Sequence, residues 1–230
     1  MAFQVAIDGP VAAGKSTTAR LVASKLGFLY VDTGAMYRAT ALLAKRKGVN
    51  LDNESAVAKV VAESKIELRQ PVKGEDDGRK VTVLLDGEDV SWEIRTEETS
   101  RGASLISQYA LVRQELVKRQ QEIAKGEDVV MEGRDITYRV LPDAQLKIYL
   151  DASMETRVDR WYNSFLVRGV QITKERARDD VAKRDDRDMH RKVDPLKIVK
   201  GAWVLDTTDL TIEQVVAQIV DKVHQLQKKQ

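Results

Sequence analysis

Gly9-Pro10-Val11-Ala12-Ala13-Gly14-Lys15-Ser16-Thr17 fits the pattern G-x-x-x-x-G-K-[ST] at every fixed position. The residues on either side decide what the match means. Phe3-Gln-Val-Ala-Ile-Asp8 precedes it, an apolar run short enough to be a buried strand. Thr17-Thr-Ala-Arg-Leu-Val-Ala-Ser-Lys-Leu26 follows, with Leu21, Val22 and Leu26 on one helical face. Strand, glycine loop and helix N-terminus together make an anion site. The loop N–H groups converge on phosphate oxygens, and the helix dipole favours negative charge there. Lys15 is expected to reach the β- and γ-phosphates and Ser16 to hold Mg²⁺. The stretch predicts a nucleoside triphosphate site spanning Gly9 to Thr17.

Composition narrows the setting. A chain of 230 residues can build one full core plus a small appended region. The net charge of +2 provides no global field for nucleic acid or a membrane surface, so local clusters must argue for themselves. The absence of cysteine excludes a disulfide framework and a thiolate metal site. The N-terminus enters a strand with no charged segment ahead of an apolar run, and no stretch reaches the ~18 apolar residues of a spanning helix. A cytoplasmic protein is expected.

Along the chain, Gly27–Val31 predicts a second strand, followed by helices over 35–46 and 52–64. The pattern then changes. Lys65–Arg69 and Lys80–Leu85 read as strands separated by the turn Gly74-Glu-Asp-Asp-Gly78, so residues 65–91 predict a small antiparallel sheet inserted in an α/β chain. Helical spacing returns at 97–105 and 110–125. Asp128–Met131, Gln145–Leu150 and Trp203–Leu205 predict further strands, 153–191 a charged and mostly helical segment, and 211–226 a last amphipathic helix. Strands alternating with helices imply a parallel sheet covered on both faces, with ligands outside the carboxyl ends of the strands. Asp8-Gly9, Asp32-Thr33, Glu132 to Asp135 and Asp151 fall at such ends.

The loop alone does not separate a kinase, an ATPase and a switch protein. A second anion site would, and arginines suggest one. Arg38 and Arg134 follow strands, and Arg184, Arg187 and Arg191 recur at helical spacing. The planar guanidinium matches phosphate bidentately and keeps its charge when buried. No N-K-x-D guanine motif is present, which weighs against a switch protein. Asp179, Asp180, Asp185, Asp186 and Asp188 interleave the basic 154–191 segment and would repel a nucleic-acid backbone.

Gly9–Thr17, Asp32-Thr-Gly-Ala-Met-Tyr-Arg38, Gly87–Ser91, Glu93-Ile-Arg-Thr96, Gly133-Arg-Asp-Ile136, Pro142-Asp-Ala144 and Arg184-Asp-Asp-Arg-Asp188 together resemble the bacterial cytidylate kinases, of the nucleoside monophosphate kinase family. The resemblance runs in order from about residue 3 to residue 220. It implies a P-loop NTPase fold in one domain, 1–230: a core of 1–32, 97–152 and 192–230, a monophosphate-binding region with the β insertion at 33–96, and a helical lid at 153–191. The implied reaction transfers the γ-phosphoryl of ATP to CMP or dCMP with Mg²⁺, in a monomer. Lys15, Arg134 and Arg191 are the implied catalytic residues.

For the acceptor, the resemblance implies that Asp135 reads cytosine, helped by Thr33 and Arg113. A carboxylate accepts from the exocyclic amino group of cytosine, whereas uracil presents a carbonyl there. Arg38, Arg134 and Arg191 are implied for the phosphate, Ser104, Arg184 and Asp188 for the sugar, and Tyr37 for packing against the nucleotide. Arg157, Arg160 and Arg168 lie where the family's lid closes over ATP. Glu132 reads either as an organiser of magnesium-bound water or as a carboxylate orienting Arg134. An acceptor other than CMP, such as UMP, is the alternative that Asp135 discriminates.

One stretch departs from the family. Thr137-Tyr138-Arg139 stands where Gly-Thr and apolar residues usually follow, narrowing the backbone options beside the acceptor phosphate. Retained activity with altered acceptor affinity is expected. Trp161 and Tyr162 read as packing residues, and His190 and His224 receive no role.

Overall fold

The computed structural model describes residues 2–75 and 77–229. Asp76 of the expected turn, and Met1 and Gln230 at the ends of the expected domain, lie outside the described residues. In chain order the strands are β1 (Gln4–Asp8), β2 (Leu29–Asp32), β3 (Ile66–Arg69), β4 (Thr82–Leu85), β5 (Glu88–Asp89), β6 (Val129–Gly133), β7 (Leu146–Asp151) and β8 (Trp203–Asp206). The helices are α1 (Lys15–Leu26), α2 (Thr33–Arg46), α3 (Glu54–Ala62), α4 (Glu97–Ile106), α5 (Ala110–Ala124), α6 (Met154–Leu166), α7 (Lys174–His190) and α8 (Ile212–Gln227).

Five strands form a parallel sheet in the order β2-β6-β1-β7-β8, with β1 at the centre between β6 and β7. The period-two alternation of buried strands divides their side chains between two cores. Val5, Ile7, Val130, Ile148 and Leu150 join the cluster that contains Val22 of α1 and Ile219 of α8. Ala6, Val31, Val129 and Met131 join the cluster with Val117 and Ala124 of α5. Helices therefore cover both faces, and five strand ends open toward one side. β3, β4 and β5 form the separate antiparallel sheet that 65–91 predicts.

Local chemistry shifts several boundaries. α2 starts at Thr33, not near 35, because Asp32 leaves β2 as an N-cap, its carboxylate accepting from Ala35 N at 2.9 Å. β6 runs on to Gly133, so Glu132 belongs to the strand. Residues 136–140 form a single π-helical turn that the spacing did not reveal. The charged segment 153–191 resolves into α6 and α7.

The loop after β1 carries its own constraints. A Cβ on Gly9 would lie 2.0 Å from the carbonyl oxygen of Leu150 in β7, so only glycine admits this close approach. Gly14, at φ +94°, makes the left-handed turn into α1. Arg157 was expected over ATP, but it lies outside the cleft lining and is buried behind the loop. Its guanidinium donates to the carbonyls of Ala152 (3.1 Å) and Val11 (3.3 Å) and pairs with Asp185 of α7. Asp185 in turn accepts from Val11 N at 3.2 Å. A buried ion pair thus clasps both backbone groups of Val11. Asp185→Ala leaves Arg157 buried without its counter-charge and should cost about 3–5 kcal/mol in urea unfolding. A loss no larger than about 1 kcal/mol, the scale of an exposed pair, would contradict the clasp.

Candidate active site

A cleft of about 1000 Å³ runs along the strand ends. One wall is the loop–α1 junction. Lys15 is buried there and donates to its own loop at Pro10 O, 2.6 Å away. Burial, with Arg134 adding repulsion, holds its ammonium well below the usual lysine range. Val11 through Thr17 line the cleft, whereas Gly9 and Pro10 do not.

Ser16 donates its hydroxyl to Glu132 Oε1 at 2.8 Å. Glu132 pairs in register with Asp32 on the neighbouring strand β2. Burial raises the Glu132 carboxyl, and the negative charge of Asp32 raises it further. Two carboxylates and a hydroxyl beside the triphosphate loop form the hard-oxygen, negatively charged donor set that suits Mg²⁺. Arg134 is oriented by a different carboxylate: its Nε donates to Asp188 at 2.6 Å. On the two roles read for Glu132, the structure shows no hydrogen bond to it from Arg134 and one from Ser16.

Asp135 also lines the cleft; it is buried and pairs with Arg113 and, at 3.4 Å, with Arg191. Burial raises the Asp135 carboxyl while both arginines pull it back. Arg113 is 2% exposed, and its remaining donors reach Asp194 (3.0 Å) and the carbonyl of Ser107 (3.2 Å). Tyr37 lies under the Arg113 guanidinium, 5.9 Å from ring centroid to Cζ, and lines the cleft. Thr33 faces the same space, but its hydroxyl donates to the carbonyl of Glu132 at 2.8 Å.

Other arginines line the cleft as well. Arg38 pairs with Asp32 at 2.9 Å. Burial works to raise Asp188, but the charge and hydrogen bond of Arg134 prevail and hold it below the usual carboxylate range. Arg184 rests on the Trp161 ring at 5.1 Å, and burial followed by repulsion from Arg134 lowers it to about 10. Ser104 accepts from Arg187 of α7. Arg160 donates to Thr207 Oγ1 (2.9 Å) and Thr207 O (2.8 Å), while Arg168 lies 4.3 Å from the Phe165 ring. Trp161 meets Phe165 edge to face and packs beside Val11 and Val181, yet it also lines the cleft.

Several lining residues escaped the sequence reading. Thr207 directly follows β8, so the strand-end rule would have found it. Arg95, inside the quoted block Glu93-Ile-Arg-Thr96 but given no role, also lines the cleft, as do Lys80, Asn163 and Leu210, which carry no comparable signal. Lys80 and Arg95 come from the insertion and the turn after it, whose placement is a tertiary matter. Burial lowers Lys80, and the charges of Arg20 and Arg95 lower it further.

Comparison with known proteins accounts for this arrangement. The family model described as cytidylate kinase matches residues 5–225. The cytidylate kinase of Caldanaerobacter subterraneus subsp. tengcongensis is 45% identical over 223 residues, covering 97% of this chain and 95% of that protein. Those of Bacillus licheniformis and Bacillus cereus are 44% and 45% identical, each over 96% of its own length. On the family match over residues 5–225 and these identities, the chain belongs to the cytidylate kinase family.

Proposed function

We propose that this protein transfers the γ-phosphoryl group of ATP to CMP or dCMP, giving ADP and CDP or dCDP. The observation that carries the reading is Asp135, nearly buried in the cleft that the triphosphate loop also lines and gripped by two arginines. A carboxylate so fixed offers an acceptor edge to the cytosine amino group and repels the uracil carbonyl. Arg113 donates beside it, and Tyr37 packs against the base. Arg38, Arg134 and Arg191 hold the acceptor phosphate, and Ser104, Arg184 and Asp188 contact the sugar. Arg160 and Arg168 face ATP from the lid, whereas Arg157 serves the loop from behind.

Transfer between two phosphates requires positioning and neutralisation more than covalent help. The acceptor phosphate is already an anionic nucleophile near neutral pH, so no general base is needed. Lys15 turns from Pro10 O to the triphosphate, and Arg134 and Arg191 bring charge to the transferring oxygens. Mg²⁺, held on the side of Ser16, Glu132 and Asp32, would supply further neutralisation of the phosphate oxygens. We place the enzyme in the cytoplasm as a monomer; none of its helices is long and apolar enough to cross a membrane among the described residues.

Asp135→Asn keeps the shape but replaces one acceptor oxygen with a donor. It should lower the ratio of kcat/KM for CMP over UMP about tenfold or more. If both rates fall and the ratio stays unchanged, Asp135 does not read the base. Lys15 yields a second expectation. Because burial favours its neutral form and phosphates restore the charge, ATP binding at pH 8 should take up protons. Titration calorimetry in buffers of different ionisation enthalpy would reveal this as a buffer-dependent heat, and identical heats would contradict it.

A further inference from the structure

The segment that follows β6 is held from three directions. Asp8, fully buried at the end of β1, accepts from Ile136 N (2.9 Å), Thr137 N (2.8 Å) and the Thr137 hydroxyl (2.7 Å). Arg134 is tied to Asp188, and Asp135 to Arg113 and Arg191. Tyr138 donates its hydroxyl to the carbonyl of Pro195 at 2.6 Å, with the Lys197 ammonium 4.2 Å from the centre of its ring.

Pro195 is not a neutral anchor. The residue before it, Asp194, holds both arginines that grip Asp135. Its carbonyl accepts from Arg191 Nε at 2.8 Å and its carboxylate from Arg113 Nε at 3.0 Å. Asp194 sits at φ +46°, a left-handed conformation that is uncommon outside glycine, though aspartate adopts it more readily than most residues. Tyr138 therefore fixes the stretch that fixes the two arginines. The backbone between these ties is the π-helical turn 136–140, a form that deviates from regular α-helical bonding and recurs at functional sites.

We propose that Thr137 and Tyr138 are positioning residues for the acceptor: Thr137 through Asp8, and Tyr138 through Pro195, hold Arg134, Asp135 and Arg191 in binding geometry before CMP arrives. The inference rests on the CMP kinase reading and names what in this chain prepares the acceptor site. Neither side chain lines the cleft. Their effect lies in how little ordering remains to be done when the acceptor binds. It belongs chiefly in the KM for CMP, with a smaller fall in kcat because Arg134 and Arg191 also face the transferring oxygens, and not in the KM for ATP.

Steady-state kinetics of the full chain with ATP and CMP test this in Thr137→Val, Thr137→Ser, Tyr138→Phe and the Val/Phe double variant. Thr137→Val and Tyr138→Phe should each raise the KM for CMP about fivefold to tenfold, the scale of one lost buried hydrogen bond. Thr137→Ser, which keeps the hydroxyl, should stay within about twofold of the wild type, and the double variant should exceed either single one. kcat should fall by less than the KM for CMP rises, and the KM for ATP should hardly move. An unchanged KM for CMP overturns the proposal, as does an equal rise for ATP or a fall in kcat at constant KM. Should Thr137→Val fail to fold, Tyr138→Phe, at a half-buried position, decides the matter alone. A wild type inactive with CMP overturns the underlying reading as well, whereas an active wild type with unmoved variants overturns this inference only.

Discussion

The site depends on one nearly buried carboxylate in the cleft lining that two arginines grip. Asp135 sits at 6% exposure, where burial alone would favour its neutral form. Arg113 and Arg191 oppose that tendency, and each is fixed by Asp194 as well. A buried charge cluster of this kind contributes little net stability, since desolvation consumes most of the Coulomb gain. What it contributes is definition. The carboxylate is held in one place, as the proposed reading of the cytosine amino group requires.

The same principle extends along the cleft. Arg38 faces Asp32 and Arg134 faces Asp188, so guanidinium groups in the cleft already have partners. This explains how a chain with a net charge of only +2 concentrates so many cations at one site. A phosphate entering the cleft does not meet a bare positive surface. It competes for donors that carboxylates currently hold in orientation, which favours ligands carrying several phosphate oxygens at the right separation. Lys15, turned onto its own loop carbonyl and disfavoured as a cation, is the group with most to gain from that exchange.

Much of this was legible in the sequence, for identifiable reasons. The loop declares itself because the phosphate geometry fixes Gly14, Lys15 and Ser16 at set spacings, and buried parallel strands declare themselves as short apolar runs. The antiparallel insertion was visible because its strands alternate between turn residues. Other features depend on contacts far apart in sequence. Arg157 sits in a lid-like series, yet its partners are Val11 and Asp185, 146 and 28 residues away. The role of Asp8 was hidden because a single aspartate before a glycine loop looks like part of the motif. Thr137 and Tyr138 stood out as departures from the family pattern, but the sequence could not name Asp8 and Pro195 as their partners. Lys80 reaches the cleft only through the placement of the insertion.

The central claim is that the cleft joins a triphosphate site to an acceptor site that reads cytosine. Release of ADP from ATP and Mg²⁺, followed in parallel with CMP, dCMP, UMP, AMP and no acceptor, tests it most directly. Release confined to CMP and dCMP is the predicted result. Release that is equal without any acceptor, or as fast with UMP and AMP, would contradict it.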